Sequence, residues 1–379
     1  MRSTTKELVA GAIVLALAAA AFTTIALPAI RSPDRAIRDF SIDYAAARAW
    51  RDGGDPFAST SANVTRYVAP RTIDEPEWHT PLYVMLFLPL SYLPYRGAAA
   101  AWALLSIAAV ILAGVILARG LGYASAWGAL GGGVALFMPP LVSDLGHGQM
   151  NSILVLLLVL AWRYLRDARI GGALALGAAA AIKIFPAVAI LALIRRERRD
   201  GVRAILSAAA FTVVGVLVMG HIGSWFDAAS HISGGYATRP DNFSVTAVLA
   251  RWLGTAPAMA LMGVAAAAFL LVQQRDFWVG ALVALAAWPV VWPHYLACAV
   301  PWVAIAIIKT DGRLRVAAAA VGALFAIATL PGPWWTATVG SRPGLWWLAP
   351  AATLLAIGIS VQAAGRLNPS RDDGALVAA

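Results

Sequence analysis

Long apolar runs separated by short polar turns extend along the whole chain and predict a bundle of membrane-spanning helices. A helix needs about 20 mostly apolar residues to cross a bilayer, and ten runs approach that length. These runs lie near 8–28, 97–118, 122–141, 149–165, 204–221, 256–273, 277–292, 295–309, 314–331 and 345–363.

Two further apolar segments do not fit a simple crossing. Segment 171–194 is interrupted by Lys183 and Pro186 and has basic residues on both sides. We interpret it as a broken pair of half-helices, because irregular backbone at membrane depth is tolerated where it lines a polar cavity. Segment 80–94 is short, and we predict that it lies along the outer surface. In the alternative, both segments cross and the chain has twelve spans.

The composition supports this class. The chain is 60% hydrophobic and only 13% charged, whereas soluble domains contain about 25% charged residues. We predict an all-α polytopic membrane protein with about 10–12 transmembrane helices, folded as one integral membrane domain over residues 1–379. The run 8–28 is interpreted as an uncleaved first helix, since no soluble domain follows it.

The net charge is +10, and the positions of the basic residues explain it. They concentrate in short loops, as the excess of Lys and Arg on the cytoplasmic side predicts. This pattern places both termini, including the tail 364–379, in the cytoplasm. No basic stripe with interleaved aromatic residues is present, so nucleic acid is excluded as a partner.

The long first outer loop, residues 29–96, is expected to carry helices beside the membrane and contains a charged island from Arg31 to His79. Asp39 and Asp43 lie four residues apart, so a helix would place both carboxylates on one face. A carboxylate face at the bilayer surface indicates an enzyme that acts on a lipid-linked substrate. The alternative is an ordinary ion-paired loop, with Arg35 four residues before Asp39.

Three other polar positions interrupt apolar surroundings. Lys183 is costly inside a membrane segment, at roughly 3 kcal/mol on insertion scales, and an anionic phosphate would offset that cost; the alternative is snorkelling towards the cytoplasm. His294 follows Trp292-Pro293 at a helix mouth, either as a functional group or as an interfacial residue. Gly148-Gln149-Met150-Asn151 opens a helix, where free N–H groups suit anions or sugar hydroxyls or simply form a cap.

Metal chemistry is not indicated by any motif. His79 and Asp144 could join the two aspartates, but no pair has a diagnostic ligand spacing. The single Cys298 excludes an intramolecular disulfide and a cysteine-rich metal site. We therefore expect no metal and no other cofactor.

These motifs, in this order, resemble the GT-C superfamily of membrane glycosyltransferases. They are most similar to the actinobacterial polyprenyl-phosphomannose-dependent mannosyltransferases. Trp78-His79-Thr80-Pro81-Leu82 is similar to that family's aromatic-x-Pro-Pro-Leu element, with Thr80 in place of the first proline. The other matching elements are Asp39-Phe40 through Ala49, Gly53-Gly54-Asp55-Pro56-Phe57, Gly148-Gln149-Met150-Asn151, Lys183-Ile184-Phe185-Pro186 and Trp292-Pro293-His294-Tyr295.

The resemblance implies an inverting, metal-independent transfer of a sugar from a polyprenyl-phosphate donor to a glycolipid acceptor, on the extracytoplasmic face of the cell membrane. Asp39 would be the general base and His294 would assist. Asp43 stands where the family usually has an aromatic residue, so the choice of base between Asp39 and Asp43 stays open. The predicted substrate- or phosphate-binding residues are Lys183, Arg35, His79, Gln149, Asn151, His147 and Asn242.

Other functions stay open at this stage. The sugar is mannose, or a pentose in an arabinosyltransferase of the same fold. A transporter or flippase of a lipid-linked sugar is a further alternative, although transporters often have matching broken segments in two halves, and only one occurs here. A polymerase or ligase would carry a large outer loop late in the chain, whereas the long loop here is early.

Overall fold

The computed structural model describes residues 2–31, 38–70, 77–230, 236–239, 242–272, 277–330 and 347–363. Throughout these residues the secondary structure is helical, without any strand. The prediction of an all-α polytopic membrane protein is confirmed. The chain packs into two compact units, which interleave along the sequence. The prediction of a single membrane domain stays a prediction.

The first unit comprises residues 1–156, 181–183 and 209–232. It contains most of the charged island and the motif around Gln149. Its helices are Arg2–Ala21, continued by Phe22–Ala26 and Leu27–Arg31, then Arg38–Arg51, Thr60–Tyr67, Pro81–Met85, Leu90–Tyr92, Tyr95–Gly120, Ser125–Ala135, Pro139–His147 and Ile222–Ser230. The helix Asn151–Arg166 begins in this unit and ends in the second.

The second unit comprises residues 157–180, 184–208 and 233–379. A core of small and branched side chains packs the helices Ala187–Arg196, Thr255–Val272 and Phe277–Ala287 together, including Ala192, Leu270 and Val283. The other helices that lie in or enter this unit are Ile170–Ile182, Arg198–Met219, Val245–Leu253, Pro293–Ala299, Val300–Lys309, Gly312–Ala328 and Leu348–Gln362.

Within the part of the chain that the structure describes, four helices are long and apolar enough to cross a membrane: Thr5–Arg31, Tyr95–Gly120, Arg198–Met219 and Thr255–Val272. A fifth crossing results if the bent pair described next forms one span. The remaining predicted spans correspond to shorter helices, namely Asn151–Arg166, Phe277–Ala287, Pro293–Lys309, Gly312–Ala328 and Leu348–Gln362. Segment 80–94 contains only two short helical turns, Pro81–Met85 and Leu90–Tyr92, and neither can cross a bilayer.

The run 122–141, predicted as one span, does not form a single continuous helix. Two helices, Ser125–Ala135 and Pro139–His147, meet there at 71°. Pro139 cannot donate a backbone hydrogen bond, and a residue before proline is driven out of the helical region. Met138 accordingly adopts an extended conformation, with φ −68° and ψ 133°. By contrast, the chain does break at the predicted position near Lys183, between Ile170–Ile182 and Ala187–Arg196.

Glycines allow close packing between the helices Tyr95–Gly120 and Ser125–Ala135. A Cβ atom on Gly132 would lie 2.8 Å from the Cα of Ile111, whereas one on Gly131 would meet nothing within 4 Å. We therefore expect Gly132→Ala to destabilise the protein by about 1–3 kcal/mol, and Gly131→Ala to leave it unchanged or slightly more stable. Unfolding in mixed detergent micelles measures both variants. Equal stabilities would contradict this packing.

Candidate functional site

The two aspartates of the charged island lie on one helix, Arg38–Arg51, which we call the Asp39 helix. Asp39 lies in its first turn and is half-buried, whereas Asp43, one turn later, is completely buried. The predicted common face is therefore present. The difference in exposure distinguishes the two carboxylates, because an incoming substrate can reach Asp39 more readily than Asp43.

Asp43 belongs to a buried cluster with His79 and Glu77, which we call the acid–histidine cluster. The Nδ1 atom of His79 lies 2.8 Å from Oδ1 of Asp43 and 3.0 Å from Oε1 of Glu77. The backbone N–H of His79 also donates to Glu77 Oε1 at 2.9 Å. Sequence reasoning missed Glu77, although its position two residues before His79 was a signal available in the sequence.

The cluster holds a proton at neutral pH. Burial penalises the charged carboxylate and raises the pKa of Asp43 to about 7, against the opposing charge of His79. Burial also opposes ionisation of the His79 ring. The charges of Asp43 and Glu77 outweigh that penalty and raise the pKa of His79 to about 10. The imidazole therefore carries a positive charge between two acidic side chains.

A continuous series of contacts connects this cluster to Lys183 within the first unit. The His79 ring stacks on Tyr83, with centroids 4.0 Å apart and planes 6° from parallel. The Tyr83 hydroxyl donates to Oε1 of Gln149 at 3.3 Å. Lys183 Nζ donates to the same oxygen at 2.8 Å and to Oδ1 of Asn151 at 3.3 Å. Four predicted binding residues are thus brought together, and Tyr83 joins them.

Thr80 ties the break after helix Ile170–Ile182 to the acid–histidine cluster. Its hydroxyl donates to the carbonyl oxygens of Ala181 and Ile182 at 2.7 and 3.0 Å. These carbonyls belong to the last turn of that helix, where no intrahelical donor is available. The same hydroxyl accepts from the Tyr83 N–H and caps the helix Pro81–Met85. One side chain therefore holds the backbone just before Lys183 and the start of the helix that carries Tyr83.

The helix that starts at Asn151 is held by a buried carboxylate from the preceding helix. Oδ1 of Asp144 accepts from the backbone N–H and the side-chain amide of Asn151, at 3.1 and 2.8 Å. Oδ2 accepts from the backbone N–H and the hydroxyl of Ser152, at 2.9 and 2.6 Å. Gly148 makes the turn between the helices with φ +66°, a conformation that favours glycine. The turn thereby orients Gln149 and Asn151 towards Lys183.

We expect Asp144→Ala to lower the free energy of unfolding by about 3 kcal/mol. It removes four acceptor contacts and leaves buried donors of Asn151 and Ser152 unsatisfied, and hydrogen bonds to charged groups contribute about 1.5–3 kcal/mol each before relaxation. Unfolding in mixed micelles measures the change. A loss below about 0.5 kcal/mol, the usual size for surface substitutions, would contradict the arrangement.

The predicted binding residue His147 lies at the exposed end of a helix. The residues from Ser143 to His147 form the end of helix Pro139–His147. His147 is exposed there, and its Nδ1 lies 2.8 Å from the carbonyl oxygen of Ser143. The turn at Gly148 directs Gln149, rather than His147, to the lysine. Arg35 lies outside the described residues.

His294 and Asn242 belong to the second unit. His294 is buried in the turn Pro293–Ala299, beside the ring of Tyr295 at 5.3 Å. The Asn242 amide donates to three backbone carbonyls, those of Tyr236, Ala237 and Pro289, and its oxygen accepts from the N–H groups of Ser244 and Val291. These bonds occupy both N–H donors and the acceptor oxygen of the Asn242 side-chain amide. Asn242 thus holds the segment that leads to His294, and a contact with phosphate would require one bond to break.

Comparison with known proteins adds an independent finding. The model of glycosyltransferase family 87 matches residues 78–331, more than half of the chain. The match includes Gln149, Lys183 and His294, and it begins after Asp39 and Asp43. None of the curated proteins and none of the solved structures matches the chain.

Proposed function

The chain belongs to glycosyltransferase family 87, and we propose that it transfers mannose from a polyprenyl-phosphate donor to a glycolipid or lipoglycan acceptor. Family membership supports sugar transfer and the GT-C resemblance. The donor, the sugar and the acceptor are the parts that we propose.

The observation that carries this proposal is the buried ammonium group of Lys183, held by Gln149 and Asn151 at the break between two helices. Departure of a polyprenyl phosphate from the sugar leaves negative charge on the phosphate oxygens. A positive group fixed in a site of low dielectric stabilises such charge strongly and needs no reorganisation during the reaction. The position of Lys183 therefore supports the proposal that the leaving group is a phosphate.

We assign the general base to Asp39. Deprotonation of an acceptor hydroxyl needs a carboxylate that the acceptor can reach, and Asp39 is half-buried while Asp43 is enclosed with His79. Attack of the activated hydroxyl on the anomeric carbon opposite the phosphate would invert the configuration. The proton passes to Asp39, and the C–O bond to the phosphate breaks. We assign no metal or other cofactor to this reaction.

His294 is proposed to assist as a proton relay or a phosphate ligand. We expect His294→Ala to lower kcat by about 10²–10⁴-fold, the range for lost acid–base assistance. Steady-state transfer of labelled mannose measures this, with His221→Asn as the control on an exposed histidine outside the predicted site. A kcat for His294→Ala within a few-fold of the unchanged protein would exclude the assignment.

Orientation follows from the basic loops. We propose that both termini face the cytoplasm and that the charged island faces the cell exterior, so that lipid-linked sugars and membrane lipids meet at the outer leaflet. Labelling of single cysteines introduced at the exposed positions Thr65 and Arg313, in a background without Cys298, tests this. We expect an impermeant reagent to label only position 65 in intact cells.

Transfer from a synthetic donor tests the activity directly. The purified protein in liposomes should form a new glycosidic bond between mannose and a phosphatidylinositol-based glycolipid when supplied with polyprenyl-phosphate mannose. Polyprenyl-phosphate arabinose is the parallel donor, and product from it alone would make the chain an arabinosyltransferase. Translocation of the donor across the bilayer without a new glycosidic bond would instead show a flippase.

A further inference from the structure

The side chains of the acid–histidine cluster have no role in the proposed sugar transfer. Two carboxylates and one imidazole nitrogen, contributed by Asp43, Glu77 and His79, bring one ligand atom each to within 4.8 Å of the others. The side chains of Asp43 and Glu77 are 0% and 1% exposed. Two acidic groups are therefore enclosed around a single ring nitrogen.

Each carboxylate has a second oxygen that is buried and without a hydrogen-bond partner among the described residues: Oδ2 of Asp43 and Oε2 of Glu77. A buried carboxylate oxygen without a partner is costly, and such groups are found paired or coordinated to metals. Both orphaned oxygens belong to the same enclosed cluster. Their common location points to a cation that the cluster is built to hold.

We propose that Asp43, Glu77 and His79 bind one divalent transition-metal ion, with Zn²⁺ as the probe. Zinc accepts nitrogen from histidine and oxygen from aspartate or glutamate at about 2.0–2.2 Å. Atoms bound to one ion at that distance lie roughly 3 Å apart, and Nδ1 lies 2.8 and 3.0 Å from the two carboxylate oxygens. Binding of the ion would displace the proton of His79 to solvent, and two carboxylates with the resulting neutral imidazole balance a charge of +2.

The ion would act on the structure rather than on the sugar. It joins the Asp39 helix to the segment Glu77–Thr80, and Thr80 in turn binds the carbonyls beside Lys183. The metal would therefore fix the outer segment around the site. This proposal does not depend on the proposed function, because metal binding is measured without donor or acceptor.

The test uses the full-length, tag-free protein in detergent, stripped with a chelator and titrated with Zn²⁺ by calorimetry. We expect one Zn²⁺ per chain and a higher melting temperature of the loaded protein. Absorption of the Co²⁺-substituted protein reports coordination by a nitrogen and oxygen set. Absence of stoichiometric Zn²⁺ binding by the unchanged protein would overturn the proposal, whatever the variants do.

Variants locate the ion. Glu77→Gln and His79→Gln keep the size of each side chain and should weaken Zn²⁺ binding by about 100-fold or more. Asp52→Asn removes a carboxylate just beyond the C-terminal end of the Asp39 helix, where it pairs with Arg51, and this variant should bind Zn²⁺ like the unchanged protein. Unaltered binding in both cluster variants would place the metal elsewhere and refute this site.

Discussion

Replacement of Asp39 by asparagine is expected to abolish measurable sugar transfer, with kcat falling by about 10²–10⁴-fold. The amide keeps the shape of the carboxylate but cannot accept the proton of the acceptor hydroxyl. Because Asp39 is half-buried at the start of its helix, the variant should fold normally. Transfer of labelled mannose in liposomes, together with gel filtration of the purified variant, measures both properties.

The neighbouring aspartates provide the controls for this result. Asp52→Asn changes an exposed carboxylate beyond the end of the same helix and should leave kcat unchanged. Asp43→Asn alters a buried partner of His79, so its effect should include a loss of thermal stability. Full activity of Asp39→Asn with an inactive but folded Asp43→Asn would move the base one helical turn along the chain.

Replacement of Lys183 by methionine is expected to lower kcat/KM for the donor by about 10²–10³-fold, the usual effect of removing one preorganised group from a site of developing charge. Methionine preserves most of the volume but has no charge and no donor. Gln149 and Asn151 also lose a hydrogen-bond partner. Initial rates over a range of donor concentrations measure the change.

Two controls distinguish the loss of the Lys183 charge from a loss of folding. Lys309→Met removes a lysine from the last turn of helix Val300–Lys309 and should retain full activity. Melting temperatures show whether Lys183→Met remains folded. If that variant is folded and transfers mannose with an unchanged kcat/KM, Lys183 does not bind the phosphate.

Much of the candidate site can be predicted from the sequence because its residues contrast in polarity with the apolar segments of the chain. Lys183 interrupts an apolar run, Gly148-Gln149-Met150-Asn151 opens a helix, and Asp43 stands in a charged island. The structure brings Lys183, Gln149 and Asn151 into direct contact. The catalytic roles of Asp39 and His294 stay predictions.

The residues that the sequence does not indicate have side chains typical of their local sequence, and their roles depend on contacts between distant segments. Glu77 lies among other charged residues, so its burial beside His79 depends on a fold that brings residue 43 next to residue 79. Tyr83 lies in an apolar stretch, and its hydroxyl finds Gln149 only through long-range packing. Asp144 is visible in the sequence as a potential metal ligand, but its bonds to Asn151 and Ser152 are not, because those residues begin the next helix.

The bend after Ala135 shows a different limit. The length of the apolar run 122–141 predicted a span, and length alone does not register the two prolines at 139 and 140. The restriction that Pro139 places on Met138 outweighs the helical preference of the run. At 183–186 the charge of Lys183, three residues before Pro186, makes the interruption visible in the sequence. The helix Ile170–Ile182 does end there.

A structure with bound polyprenyl phosphate tests the central claim, that Lys183 and its amide partners hold the phosphate of a lipid-linked sugar donor. Electron cryomicroscopy of the protein in nanodiscs with this product should place a phosphate oxygen within about 4 Å of Lys183 Nζ, the distance of an ion pair. Asp39 should lie on the side where an acceptor enters. Phosphate density at the basic residues 195–203, with none beside Lys183, would contradict the account.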